Sequence, residues 1–270
     1  MSGQNASAAV SRRRAPRHAP KLWRVPVLRT EPVTPRLVRV TIGGAVLADF
    51  PGGGGDQHVV LYFYPAGAAI PEPLTLESAR LAFAAVRPAM RSYTVRRHDP
   101  ERHEIDIDFV LHGEDGPAAR WAARASVGDE LIVVGPSPAY QPDPMIGRHL
   151  FVGDETALPA IDALLRELPA STTADVLIEV ADAAEEQSLS AVADVRISWL
   201  RRDGALAGEP GRLLAAVRAL DLPSGGIAVW AAGERSVMHE LRRHLLDERG
   251  LSRAALRSTV YWRAGHAGPT

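Results

Sequence analysis

One change of pattern near Met145 constrains what this chain can fold into more than any other feature. Before it, short apolar runs are separated by turns. LWRVPVLR, RLVRVTIGG, HVVLYFYP, MRSYTVRR, EIDIDFVLH and DELIVVGP are β-branched or alternate cleanly. In EIDIDFVLH, Ile105, Ile107, Phe109 and Leu111 share one face, while Asp106, Asp108 and Val110 share the other. Such runs predict an antiparallel six-stranded β-barrel over residues 22–148. After Met145, strands and helices alternate: RHLFVGD, a helix with a Leu158/Ile161/Leu165/Leu168 stripe, ADVLIEV, VRISWL, RLLAAVRAL, IAVWAAG, RSVMHELRRHLLDERG and ALRSTVYW. That alternation predicts an open parallel α/β sheet over residues 149–270. Ligands of such sheets sit beyond the carboxyl ends of the strands, so the turns Gly153–Pro159 and Ala231–Glu234 fall at binding positions, although neither reads GxGxxG.

Two interruptions matter. GPAARWAARA predicts a helix from Gly116 to Ala125 with Pro117 at its first position, where a missing N–H costs nothing. Its start would offer unpaired N–H groups to an anion, with Gly116 and Ala118 allowing close approach. A crossover helix closing one barrel end fits the same residues. The glycine run Gly52–Gly55 has no following lysine or helix and reads as a turn; Pro65–Pro88 carries no clear pattern.

Composition mostly excludes. At 270 residues there is room for two modest domains. A formal net charge of −1 provides no field for nucleic-acid or membrane binding. With zero cysteines, neither disulfides nor thiolate-held zinc or iron–sulfur clusters can form in this chain. No run approaches the ~20 apolar residues of a membrane helix. Residues 1–21, polar, basic and proline-bearing, read as a disordered arm on a cytoplasmic protein, taken as a monomer. His239 and His244, five apart on one helix, sit ~140° apart around its axis and cannot grip one metal.

RSYTVR, from Arg91 to Arg96, is an unusual strand. Arg91, Tyr93 and Val95 point one way, Ser92, Thr94 and Arg96 the other. An ordinary half-buried strand with surface arginines would satisfy these six residues. The same residues also supply a phosphate donor, a flat ring and neutral hydroxyls, which a flavin dinucleotide requires.

Taken in order, RSYTVR (91–96), DFVLHGEDGPAARWA (108–122), GDETALPAI (153–161), WAAGE (230–234) and VYWRAG (260–265) resemble the siderophore-interacting proteins. These are flavin-dependent ferric-siderophore reductases of the ferredoxin–NADP reductase superfamily, and the resemblance spans residues 22–266. It implies a barrel that binds FAD and an α/β domain that binds NADPH or NADH. By the resemblance, Arg91 would hold the pyrophosphate, Tyr93 would pack on the flavin, Thr94 would offer a hydroxyl near its reactive edge, and Ser92 would also belong to the cofactor-binding set. Asp108, Val110 and His112 would line the adenine–ribityl side, and Gly116, Pro117 and Ala118 the phosphates. Thr156 would approach the nicotinamide or flavin, and Glu234 would border the second nucleotide. Arg201 and Arg202 could hold a 2′-phosphate, which favours NADPH; Asp182 could instead bind the ribose diol of NADH.

The implied chemistry needs no side-chain acid, base or nucleophile, so no catalytic residue and no resident metal are assigned. Reduction loosens Fe(III) from its oxygen ligands, and a flavin converts a two-electron donor to one-electron delivery. Val60 and Ser137 stand where relatives often carry a lysine and an arginine, leaving Arg263 as the basic substrate contact. This points to a hydroxamate or mixed-ligand ferric siderophore rather than a highly anionic catecholate. Reduced ferredoxin as donor would leave no mark in the sequence. A general flavin or quinone reductase of the same fold, and a non-catalytic flavin- or siderophore-binding protein, remain as alternatives.

Overall fold

The computed structural model describes residues 19–111, 116–137, 140–223 and 225–266. The N-terminal strands are β1 (Lys21–Thr34), β2 (Leu37–Gly43), β3 (His58–Phe63), β4 (Ala89–Thr94), β5 (Arg97–Asp99), β6 (Glu104–Val110) and β7 (Glu130–Gly135). They form one curled antiparallel sheet of seven strands, not six, in the order β4-β3-β7-β1-β2-β6-β5. The extra strand comes from MRSYTVRR, which is not continuous. Val95 N–H bonds to Gln57 O beside β3, whereas Arg96 N–H bonds to Asp106 O on β6. The backbone thus changes partner between two residues and curls the sheet, because its edge strands β4 and β5 are consecutive in the chain. The interior is filled by Val25, Val40, Ile42, Leu61, Ile105, Ile107, Phe109 and Val133. For β6 this is the apolar face expected from alternation.

Residues 1–18 of the expected arm lie outside the described residues, and β1 already begins at Lys21. Helix α1 (Leu76–Ala82) occupies the unassigned proline-rich excursion, nucleated by a capping box between Thr75 and Ser78. Helix α2 (Pro117–Ala122) is shorter than expected, six residues rather than ten.

The second half contains β8 (Arg148–Asp154), α3 (Leu158–Glu167), β9 (Thr173–Val180), β10 (Asp194–Arg201), α4 (Gly211–Ala219), β11 (Ile227–Glu234), α5 (Arg235–Arg243) and β12 (Leu256–Trp262). All pairings are parallel, in the order β10-β9-β8-β11-β12. Buried on both faces, β8 sends Phe151 towards α3, and Leu150 and Val152 towards α4 and α5. The run RSVMHELRRHLLDERG is α-helical to Arg243 and then π-helical over His244–Glu248.

The α3 side of this sheet meets the curled sheet. Trp230 Nε1 donates to Asp56 Oδ2 at 3.2 Å. Thr34 Oγ1 donates to Glu185 Oε2 at 2.5 Å, and Arg36 N–H to Glu185 Oε1 at 3.1 Å. The glycine run gains a reason here: a Cβ on Gly55 would lie 2.7 Å from the backbone of Leu164 on α3. Only glycine lets that loop press so closely against the helix.

Candidate functional site

Strand β4 pairs with β3 so that Arg91 lies opposite Leu61 and Tyr93 opposite Val59. Arg91 is half-buried, and its Nη1 donates to the carbonyl of Met90 at 2.8 Å. No carboxylate among the described residues forms an ion pair with it. Tyr93 packs on Phe109 at 4.4 Å between ring centroids; Phe109 is 5.6 Å from Trp121 on α2, and Trp121 is 5.7 Å from Phe63. This chain of rings brings β4 and α2 to the same end of the curled sheet. Burial pushes the Tyr93 hydroxyl well above the ordinary phenol range, so the ring is a neutral surface.

Gly116 caps α2 in extended backbone with no side-chain hydrogen bond, and a Cβ there would meet nothing within 4 Å. Among the described residues, nothing therefore crowds the first N–H groups of α2 at that position. With six residues, α2 contributes those groups rather than a long summed dipole. A cation without a carboxylate partner, a flat ring and an open helix start fit a diphosphate joined to a planar ring system. Ser92 is exposed on the opposite face of β4. Asp108 is not with them. Its carboxylate lies on the other face of β6, accepting Arg39 Nε at 2.7 Å, Arg39 Nη2 at 3.0 Å and Arg96 Nη1 at 2.7 Å. Alternation already placed Asp108 opposite Phe109, and its charge required that burial be matched by cations. Val110 is half-buried at the end of β6; His112 lies outside the described residues.

Thr94, the next residue along the strand, is buried, and its hydroxyl faces the Tyr261 hydroxyl. Tyr93 and Thr94 thus serve opposite faces, the first the ring cluster and the second the junction between sheets. On β12 the neighbouring Trp262 donates Nε1 to Asp154 Oδ2 at 2.7 Å. Consecutive residues of VYWRAG therefore tie the RSYT strand and the GDETALP turn to one edge strand.

Asp154 ends β8 fully enclosed: Thr156 N–H and Oγ1 donate to its Oδ1 at 2.9 and 2.5 Å, and a Cβ on Gly233 would sit 2.8 Å from Oδ2. Burial, with Glu155 adding to it, raises the Asp154 carboxyl above its ordinary range. The Thr156 hydroxyl, expected at the nicotinamide, is thus committed to Asp154. Glu234 is similarly occupied. It caps α5 by accepting Ser236 N–H, Ser236 Oγ and Val237 N–H, and it also accepts Ala264 N–H at 3.2 Å. Burial opposes its ionisation, but the bonds from Ser236, Ala264 and Val237 outweigh that and hold it below the usual carboxylate range. Its role in these contacts is to fix the segment carrying the exposed Arg263.

Arg202 is also occupied. It is buried against both oxygens of Glu155 and lies 3.5 Å from Glu179, whose carboxyl burial pushes up to about 7 against the pull of Arg202. Arg201 is exposed, with Nε 2.6 Å from Glu186. Asp182 is half-buried and caps the turn Ala183–Glu185 through Ala184 N–H at 2.9 Å. Asp56, Arg96, Asp162 and Tyr261 escaped the sequence reading as junction residues. One signal was present: Asp162 neighbours the apolar stripe of α3, and a charge there needs a buried partner.

Residues 26–140 match the model of the siderophore-interacting FAD-binding domain, and residues 146–265 that of the siderophore-interacting protein family. Over 243 residues the chain is 32% identical to the ferric vibriobactin reductase ViuB of Vibrio cholerae, covering 88% of each. It is 30% identical to an NADPH-dependent ferric-chelate reductase of Escherichia coli, covering 88% of this chain and 91% of that one. A siderophore utilization protein from T. fusca superposes with a TM-score of 0.83 at 36% identity, covering 95% of this chain and 98% of that one.

Proposed function

Because the chain belongs to the siderophore-interacting protein family, we propose that it is an FAD-dependent reductase that takes electrons from NAD(P)H and delivers them to ferric siderophores, releasing Fe(II). The observation that carries this reading is Arg91, a half-buried guanidinium on β4 without a carboxylate partner among the described residues, on the strand whose Tyr93 leads through Phe109 to Trp121 of α2. Bound FAD supplies the conversion of a two-electron donor into one-electron delivery to Fe(III).

The protein's own residues position and shield. Arg91 neutralises the diphosphate together with the N–H groups after Gly116. Tyr93, backed by Phe109, presents a neutral ring, and Thr94, held by Tyr261, places a hydroxyl at the junction. Nucleotide enters over the carboxyl ends of β8 and β11, where Asp154 and Glu234 hold the surrounding turns in shape. Iron arrives inside its siderophore ligand, so no resident metal site is assigned. Exposed Arg263 contacts the siderophore, and the uncharged Val60 and Ser137 favour hydroxamate or mixed-ligand complexes. On this reading the enzyme works as a cytoplasmic monomer.

The test is an FAD titration, then anaerobic addition of NADH or NADPH, then addition of ferric chelates. Bleaching of the flavin band and its recovery on adding ferric chelate are expected. Protein that stays colourless after FAD addition would be a non-catalytic binder, and recovery with quinones but not ferric chelates would mark a general flavin reductase. Flavin bleached only by reduced ferredoxin would replace the nucleotide donor. Fastest turnover on a triscatecholate complex, with saturation weakened steeply by salt, would overturn the substrate class.

A further inference from the structure

Arg96 ends the RSYTVR stretch on the same face as Thr94 and is 6% exposed. Its Nη1 donates to Asp108 Oδ2 at 2.7 Å and to Gln187 Oε1 at 3.4 Å, while Nη2 lies 3.0 Å from Asp162 Oδ2 on α3. The side chains of Asp108 and Asp162 are 0% and 1% exposed. Neither acid needs Arg96 for its charge. Asp108 is already clasped by Arg39 within the curled sheet, and Asp162 by Arg166 at 2.5 Å one helical turn along α3, with Ser190 N–H at 3.3 Å.

The cluster therefore holds three guanidinium groups against two carboxylates, and the third, Arg96, is the member whose ion pairs cross between the sheets. Replacing a buried ion pair by apolar groups is often neutral or stabilising, so stability alone is a poor reason for a third buried cation; fixing one arrangement is a better one. The position of Arg96 says which arrangement. It lies two residues beyond Thr94, and Asp162 sits on the helix that leads directly out of the GDETALP turn. Other contacts between the sheets among the described residues attach elsewhere on the N-terminal side, at Thr34, Arg36, Gly55 and Asp56, as well as at Thr94.

We propose that Arg96 is a positioning residue: through Asp162 it sets the distance between the flavin-bearing strand and the nucleotide-binding turn, and so the rate of hydride delivery. The proposal rests on the reductase reading above. Arg96→Met and Asp162→Asn should each lower the limiting rate of anaerobic flavin bleaching by about 10- to 100-fold, the effect of ångström-scale misplacement. The nucleotide concentration giving half the limiting rate should change less than threefold, on the order of the smallest interaction differences. Arg96→Met/Asp162→Asn should be no slower than either single variant, because both remove one link.

FAD affinity, followed by quenching of protein fluorescence, should be unchanged, as should re-oxidation by ferric chelate after dithionite reduction. Arg39→Met, which also touches Asp108 but does not cross, should lower thermal stability and leave the bleaching rate intact. The inference is overturned if Arg96→Met and Asp162→Asn bleach at the wild-type rate, if their rates multiply in the double variant, or if Arg39→Met slows bleaching equally. Wild-type protein that binds FAD yet is bleached by neither nucleotide would instead remove the reductase reading, and this proposal with it. Should Arg96→Met fail to fold, Asp162→Asn keeps the shape of the site and decides alone.

Discussion

Arg91 and Arg202 stand at comparable places, one in the strand expected to meet a flavin diphosphate, the other just past a strand expected to meet a nucleotide. Their surroundings are opposite. Among the described residues Arg91 bonds a neighbouring carbonyl and no carboxylate, whereas Arg202 is buried between Glu155 and Glu179, with Arg212 Nε a further 3.8 Å from Glu179. One cation has no carboxylate partner among the described residues, as the proposed diphosphate site requires, and the other is consumed by the fold. An arginine is a phosphate site only where the structure leaves it without a carboxylate, and that condition separates the two halves of this molecule.

The sharpest way to break the comparison is to remove each cation. Arg202→Ala leaves buried Glu155 without its cation and Glu179 with only the more distant Arg212, and should destabilise the protein by about 3–5 kcal/mol in denaturant titrations, with FAD affinity of the folded fraction unchanged. Arg91→Ala should do the reverse: its unfolding midpoint should hold, while FAD binding weakens about 10- to 100-fold, the worth of a charged hydrogen bond at ~1.5–3 kcal/mol. If Arg91→Ala unfolds the protein and leaves flavin affinity intact, the contrast is inverted and the site is misplaced. Gly153→Ala tests the packed turn beside Arg202. A Cβ there would sit 2.4 Å from Ala157 Cβ and 2.7 Å from Ala232 O, so a loss of about 1–3 kcal/mol is expected from calorimetry. The smallest effect belongs to Glu186→Ala, which frees exposed Arg201 from a pair worth about 0.2–1 kcal/mol. It should raise affinity for 2′-AMP by a few-fold at most, leaving 5′-AMP unaffected, and the gain should vanish at high salt.

Much of this was legible in advance, for identifiable reasons. The pattern change near Met145 correctly separated antiparallel from parallel strands, because burial on one face or two leaves its period in the sequence. The break inside MRSYTVRR was not legible: apolar periodicity continues through Val95, and only the switch from Gln57 to Asp106 as hydrogen-bond partner divides β4 from β5. Helix α1 hid behind proline-rich flanks although its Thr75-to-Ser78 capping box was readable. At the site, side-chain alternation already put Arg91 and Tyr93 together and Asp108 away from Phe109. It could not show that Thr156, Glu234 and Arg202 would each be claimed by a neighbour.

By itself the sequence determined the two kinds of sheet, the family motifs and the faces on which their side chains stand, since periodicity and local chemistry act over a few residues. Only the tertiary structure decided which charges remain free. Asp108 with Arg39, Asp162 with Arg96, and Arg202 with Glu155 are pairs whose partners lie tens of residues apart, and ionic partners that close through space leave no local signature in the chain.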